Sequence, residues 1–265
     1  MKRKPLVLSL GAGVQSSTLA LMAEHGLVER PDVAIFADTQ SEPQEVYDWL
    51  KWLSMEVSFL VEIVTAGSLE QEILRVVEAK DGHTYSKSGM IPAFIKRVDG
   101  RASIMSRWCT SDYKIVPITR KINKMFGKQD VIQQIGISKD ESQRMKPSRY
   151  PNIQLVWPLI DLDMTRQDCK DWMKVNGYPE PPRSSCYFCP FHNDAEWVRM
   201  RDEHPLEFSR AVEFERKFQN SHKQGDYTFS EAFLHPSLVD LDKVNFKEPN
   251  RENRMINECE GMCGQ

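Results

Sequence analysis

Residues 6–17 read Leu6-Val7-Leu8-Ser9-Leu10-Gly11-Ala12-Gly13-Val14-Gln15-Ser16-Ser17. The apolar run Leu6 to Leu10 suits a short strand buried on both faces, as in a parallel sheet. It breaks at Gly11-Ala12-Gly13. From Ser16 the spacing of Leu19, Met22 and Ala23 predicts a helix to Glu24, stopped by Gly26. Glycines let a backbone turn tightly and approach an anion, and a helix N-terminus adds N–H groups and a favourable dipole. The hydroxyls of Ser9, Ser16 and Ser17 supply further donors. An ordinary strand-to-helix turn has the same outline. The stretch is not a Walker A loop, because no Gly-Lys-Ser/Thr follows, and Ser16 after Gly11 and Gly13 breaks the GxGxxG pattern.

Working outward, strand and helix signals alternate. Val33 to Ala37, ending at Asp38, and Phe59 to Val64 read as strands. Pro43 to Met55 reads as a helix with proline in its first turn, and Ser68 caps a helix to Ala79. Residues 81–107 lack periodicity and read as a long loop, a feature usually functional or mobile. Tyr113 to Phe126 reads as a helix, Val131 to Ile137 and Leu155 to Leu159 as strands. Thr165, with Asp168 in the capping-box position, opens a helix to Val175. Asp194 to Gln219 reads as one long charged helix, followed by a polar remainder and a cysteine-bearing tail. The alternation predicts an α/β fold with a doubly wound, mostly parallel sheet and ligands beyond the C-terminal strand ends. Residues 1–178 form the expected nucleotide-binding domain, and 179–265 a helical, cysteine-bearing extension packed on it.

The 265-residue chain has a net charge of −3, 40% hydrophobic and 28% charged residues, so no global basic field announces a nucleic-acid partner. The apolar stretch behind the basic start is too short for a signal peptide or a membrane span, which gives a cytoplasmic expectation with no membrane partner. Six cysteines, at 109, 169, 186, 189, 259 and 263, then point to metal binding or thiol chemistry rather than disulfides. Cys169, near Trp172 and Met173, reads as a buried small hydrophobe. Trp49, Trp52 and Phe59 read as core, and His192 as a surface residue or a donor near Cys189.

Four segments carry a family resemblance. Residues 9–17 resemble a variant of the PP-loop motif SGGxDS, with Gln15 in the place of its aspartate. Asp38-Thr39 with Glu42-Pro43-Gln44-Glu45-Val46-Tyr47 resembles the DTG…PETY segment of phosphoadenosine-phosphosulfate (PAPS) reductases. Cys109-Thr110-Ser111-Asp112-Tyr113-Lys114 resembles CCxxRK, with Thr110 replacing the second cysteine. Glu141-Ser142-Gln143-Arg144 resembles the family's ES-x-R. The chain thus resembles the PP-loop ATP pyrophosphatase and PAPS reductase superfamily, whose fold is Rossmann-like (adenine nucleotide alpha hydrolase-like). The resemblance implies that Ser9, Gly11, Gly13, Gln15, Ser16, Ser17, Asp38, Thr39, Lys114, Glu141 and Arg144 contact an adenine nucleotide, ATP with Mg2+ or PAPS. Arg144 would face phosphate or sulfate. Arg107 is a further helper, and Lys114 either helps or lies on a solvated helix face.

Cys186-Tyr187-Phe188-Cys189 places two thiols at CxxC spacing, suited to one metal centre. Cys109 matches the first cysteine of the family's CC pair, so the resemblance implies a [4Fe-4S] cluster on Cys109, Cys186 and Cys189. The fourth position is open or filled by Cys259 or Cys263, and zinc is the alternative. Cys259 and Cys263 are also candidate nucleophiles. Two activities follow as expectations: ATP-dependent thiolation of a tRNA or DNA acceptor fed by a sulfur donor, or PAPS/APS reduction in which a tail cysteine attacks the sulfate sulfur and a thiol reductant follows. A third reading is a non-catalytic nucleotide- or cluster-binding protein. A homodimer is compatible with each.

Overall fold

The computed structural model describes residues 3–78, 80–82, 84–86, 90–222 and 229–247. In chain order its elements are β1 (Leu6–Leu10), α1 (Val14–Glu24), β2 (Val33–Asp38), α2 (Gln44–Glu56), β3 (Leu60–Thr65), α3 (Leu69–Leu74), β4 (Val76–Glu78), β5 (Thr84–Ser86), β6 (Phe94–Arg97) and β7 (Ala102–Ile104). A π-helical turn (Ser111–Ile115) then runs into α4 (Val116–Phe126), followed by β8 (Val131–Ile135), a 3-10 turn (Lys139–Arg144), β9 (Ile153–Val156), α5 (Pro158–Asp161), α6 (Arg166–Val175), α7 (Asp194–Glu203), α8 (Pro205–His222) and β10 (Phe229–Phe233).

Two compact units result. Of the described residues, the first comprises those up to Gly67 together with Thr110–Ser185; the second comprises Ser68–Cys109 together with those from Cys186 to residue 247. The first unit is built on a five-stranded sheet of order β3-β2-β1-β8-β9, with every neighbouring pair parallel. Alternation along the strands explains its layers. Leu8, Leu10, Ala34 and Phe36 pack on one face with α1, α2 and α6, through Leu19, Leu50, Leu53 and Met173. Val7, Val33, Ile35 and Val131 pack on the other with Ile118 and Ile122 of α4. The sheet is therefore doubly wound, as the alternation predicts. Chain order runs outward from β1 in both directions, so the topological switch point lies between β1 and β8. In open α/β sheets that crevice is where ligands sit.

The second unit holds the antiparallel sheet β10-β6-β7, the hairpin β4-β5, and helices α3, α7 and α8. Several elements here differ from the sequence reading. The expected loop 81–107 contains β5, β6 and β7. The helix begun at Ser68 ends at Leu74. The long helix expected over 194–219 is split at His204, because Pro205 has no N–H to continue α7 and starts α8 instead. In the first unit, the strand expected over 155–159 stops at Val156, since Pro158 opens α5. Cys169 is fully buried in the first core, as expected, and Trp49 and Phe59 are buried there too. Among the described residues no helix is long and apolar enough to cross a membrane.

Candidate functional site

The loop after β1 carries the strain expected of a ligand cradle. Ala12 holds φ +58° although it is not glycine, and it is fully buried. Non-glycine residues in that region cost free energy and concentrate at functional sites. Gly13 is the N-cap of α1 and offers no side-chain cap. The hydroxyl of Ser16 accepts the Gly11 N–H at 3.1 Å and fixes the turn. The hydroxyl of Ser17 accepts from the indole N–H of Trp49 at 2.9 Å. Ser9, at the end of β1, is buried, and its Oγ has no hydrogen-bond partner among the described residues. Leaving a buried hydroxyl unsatisfied is costly, which marks it as a donor awaiting a partner.

Gln15, in the first turn of α1, joins the two sides of the switch point. Its side-chain nitrogen donates to Glu141 Oε2 at 2.9 Å and reaches Ser138 Oγ at 3.4 Å, while its oxygen accepts from Arg166 Nη1 at 2.9 Å. Glu141 also pairs with Arg144 at 2.5 Å. An amide at position 15 can donate to a carboxylate and accept from a guanidinium at once; an aspartate there would repel Glu141. Two guanidiniums thus converge beside the helix N-terminus. Sequence reasoning found Arg144 and missed Arg166 and Ser138. The one available signal for Arg166 was its place directly after the Thr165 cap.

At the end of β2, Asp38 Oδ1 accepts the Tyr47 hydroxyl at 2.9 Å and the Gln40 N–H at 2.7 Å. Burial, and then the hydrogen bond and charge of Asp38, push the Tyr47 phenol well above its ordinary range, so it stays a donor. Thr39 and Glu42 follow, both buried. Glu42 Oε1 pairs with Lys114 Nζ at 3.2 Å, with both side chains nearly inaccessible. Lys114 therefore does not lie on a solvated face. It is delivered by a π-helical turn, a local irregularity often found at functional sites. Glu42 Oε2 has no hydrogen-bond partner among the described residues, and Glu42 had no role in the sequence reading. The structure thus brings every expected nucleotide contact to the strand ends of the first unit.

The cysteines Cys109, Cys186 and Cys189 belong to the second unit. All are half-buried and none is in a disulfide. Cys186 and Cys189 bracket a tight turn in which the Cys189 N–H donates to the Cys186 carbonyl at 2.9 Å. The turn is anchored: Phe188 stacks on Phe214 at 4.0 Å and Tyr187 donates to Glu70 at 2.6 Å. Arg107 lies 5.3 Å over the ring of Phe191. By donor type these thiols suit a thiolate-bound metal. By placement they fall short: among the described residues no group of three or more His, Cys, Asp or Glu is positioned to hold a metal ion. Cys259 and Cys263 lie outside the described residues. His192 is not on the surface; it is buried, edge-on to Trp197 at 4.6 Å.

No family model matches the chain. It is 27% identical over 194 residues to an uncharacterized nin region protein, ORF290, of Escherichia phage lambda, across 69% of this chain and 64% of that protein. The match thus spans less than two thirds of that relative's length. Among solved structures, a PAPS reductase from Candida auris, in a phosphate complex, superposes with a TM-score of 0.44 at 15% identity, across 68% of this chain and 76% of that one.

Proposed function

We propose that the first unit binds the phosphates of an adenine nucleotide at the β1/β8 switch point, and that the protein uses the nucleotide in sulfur transfer. The observation that carries the binding site is the Arg166–Gln15–Glu141–Arg144 network spanning that crevice, beside a strained glycine loop and an unsatisfied Ser9 hydroxyl. Backbone N–H groups of the loop and the α1 N-terminus, with two guanidiniums held in fixed planes, suit a polyphosphate. The residues with work to do are these: Ser9 donates to a phosphate oxygen, Arg144 and Arg166 neutralise it, and Asp38 with Tyr47 shapes the rim.

Sulfur transfer rests on the thiol constellation. ATP would adenylate an oxygen of the acceptor and release pyrophosphate; a sulfur nucleophile would then attack the carbon bearing that oxygen, and AMP would leave with the oxygen. A [4Fe-4S] cluster, if bound by Cys109, Cys186 and Cys189, would supply thiolate-held iron; no step is assigned to it, because no metal-holding group is assembled among the described residues. The second reading, reduction of PAPS by attack of Cys259 or Cys263, draws on the same phosphate site.

The test is binding of ATP and PAPS by titration calorimetry, with pyrophosphate and sulfite assayed, and iron and sulfide counted in anaerobically purified protein. Gln15→Ala uncouples both arginines and is expected to weaken nucleotide binding about 10- to 100-fold, the scale of one or two charge-assisted hydrogen bonds. Unchanged affinity in Gln15→Ala, or no binding of either nucleotide, sinks the site.

A further inference from the structure

The turn Cys186-Tyr187-Phe188-Cys189 of the second unit holds two thiols at a spacing with a chemistry of its own. The Cys189 N–H donates to the Cys186 carbonyl at 2.9 Å, which closes a β-turn with a cysteine at each end. Such a turn keeps its end Cα atoms within about 7 Å. A disulfide spans Cα atoms about 4.4–6.8 Å apart. The span of the turn therefore overlaps the range that one S–S bond bridges.

The turn is held on both sides by its own unit. Its two central rings are buried. Phe188 stacks on Phe214 of α8 at 4.0 Å, and Tyr187 donates to Glu70 of α3 at 2.6 Å, with the guanidinium of Arg210 lying 4.2 Å over its ring. Beyond the turn, Pro190 has a fixed φ, and the His192 N–H donates to the Cys189 carbonyl at 3.1 Å. The cysteines at the two ends are half-buried, whereas Cys169 is fully buried and shielded from reagents. An ordered turn has little chain entropy left to lose when its ends are joined, which favours a bond within the pair over one to a distant thiol.

A CxxC turn also suits a metal centre, the role implied by the family resemblance. That role needs further ligands, and among the described residues no third Cys, His, Asp or Glu is grouped with this pair. The chemistry open to two thiols by themselves is a two-electron couple.

We propose that Cys186 and Cys189 form a reversible dithiol–disulfide couple that exchanges with low-molecular-weight disulfides. One cysteine thiolate attacks a sulfur of the small disulfide, forms a mixed disulfide and expels one thiol. The other thiolate then attacks the protein-borne sulfur, closes the Cys186–Cys189 bond and expels the second thiol. The two cysteine protons end on the two released thiols. The pair is oxidised by two electrons and the small disulfide is reduced by two; the reverse reaction restores the dithiol. The sulfur chemistry proposed above thereby gains a two-electron source. The couple lies in the second unit and its test uses no nucleotide, so it and the nucleotide site fail separately.

The test equilibrates the full, anaerobically purified chain with glutathione and glutathione disulfide, from fully reducing to fully oxidising ratios. Samples are quenched in acid, alkylated, digested with trypsin and weighed. Peptide 184–199 contains Cys186 and Cys189 and no other cysteine. As the ratio rises it is expected to lose both alkylation sites together and to become about 2 Da lighter than the dithiol, the loss of two hydrogens. Dithiothreitol should restore both sites. Cys186→Ser and Cys189→Ser each remove one partner, so glutathione should stay on the remaining cysteine of at least one variant and not accumulate on the wild type. The wild-type series stands even where a variant fails to fold. A peptide that keeps two alkylatable thiols at every ratio overturns the proposal. So does a bond from either cysteine to Cys109, Cys259 or Cys263, folded variants that trap no glutathione, or wild-type thiols that alkylate only after iron or zinc is chelated.

Discussion

Single residues here act through where they are buried. Gln15 was legible as part of a phosphate loop, yet its value as a two-sided amide depends on Glu141 and Arg166, 126 and 151 positions away. No local signal encodes such partners. Glu215 of α8 went unnoticed in a helix read as charged throughout. It is buried, its two oxygens accept the N–H groups of Leu234 at 2.8 Å and Leu241 at 2.6 Å, and burial pushes its carboxyl up to about 7. A carboxyl whose folded value exceeds its unfolded value of about 4.5 stabilises the fold fully below that lower value and loses the contribution as pH rises through 7. The swing is on the order of 3 kcal/mol, at about 1.4 kcal/mol for each pH unit between the two values. Thermal melts from pH 5 to 8 should therefore show a falling midpoint in the wild type and a flatter profile in Glu215→Gln. Because Gln also loses one acceptor, the slope is the readout; parallel slopes would remove Glu215 as the titrating group.

Elements that announce themselves locally were read well, and those that depend on distant pairing were not. The β1 run, the α1 stop and the α6 cap are short-range features. By contrast β6 and β7 are three or four residues long, and β6 is completed by β10, more than 120 positions later. A strand that short carries too little alternation to register. The α6 cap also shows an element serving the site. Thr165 and Asp168 form a reciprocal capping box, with the Asp168 carboxylate accepting the Thr165 N–H at 2.8 Å. The next residue, Arg166, donates its backbone N–H to Asp140 at 3.0 Å and its guanidinium to Gln15. Thr165→Ala should cost about 1 kcal/mol of stability. It should also weaken nucleotide binding several-fold, because Arg166 sits on the frayed turn. A stability loss with unchanged binding, read by melts and calorimetry on the same sample, would show that the cap does not position Arg166.

At the scale of the molecule, the nucleotide contacts fall in one unit and Cys109, Cys186 and Cys189 in the other; consecutive reading of the chain set Cys186 and Cys189 apart from residues 1–178 but left Cys109 among them. The cause is that the second unit draws on two separated segments, Ser68–Cys109 and the described residues from Cys186 on. A segment that leaves one core to complete another has no composition shift at its boundary. The division gives a sharp expectation for ligand binding. Nucleotide at 100 times its Kd stabilises the fold it binds by about 2.7 kcal/mol. If the site is the one built at the β1/β8 switch point, that stabilisation slows amide exchange where local opening must break the site. Hydrogen exchange read by mass spectrometry should then show ATP protecting peptides from β1–α1, the end of β2 and Lys139–Arg144, by up to about 100-fold where exchange runs through opening of that unit. Peptides from β6, β7 and α8 should keep their rates. Protection of the second unit with none at β1–α1 would place the nucleotide elsewhere, and with it the assignment of Gln15, Arg144 and Arg166.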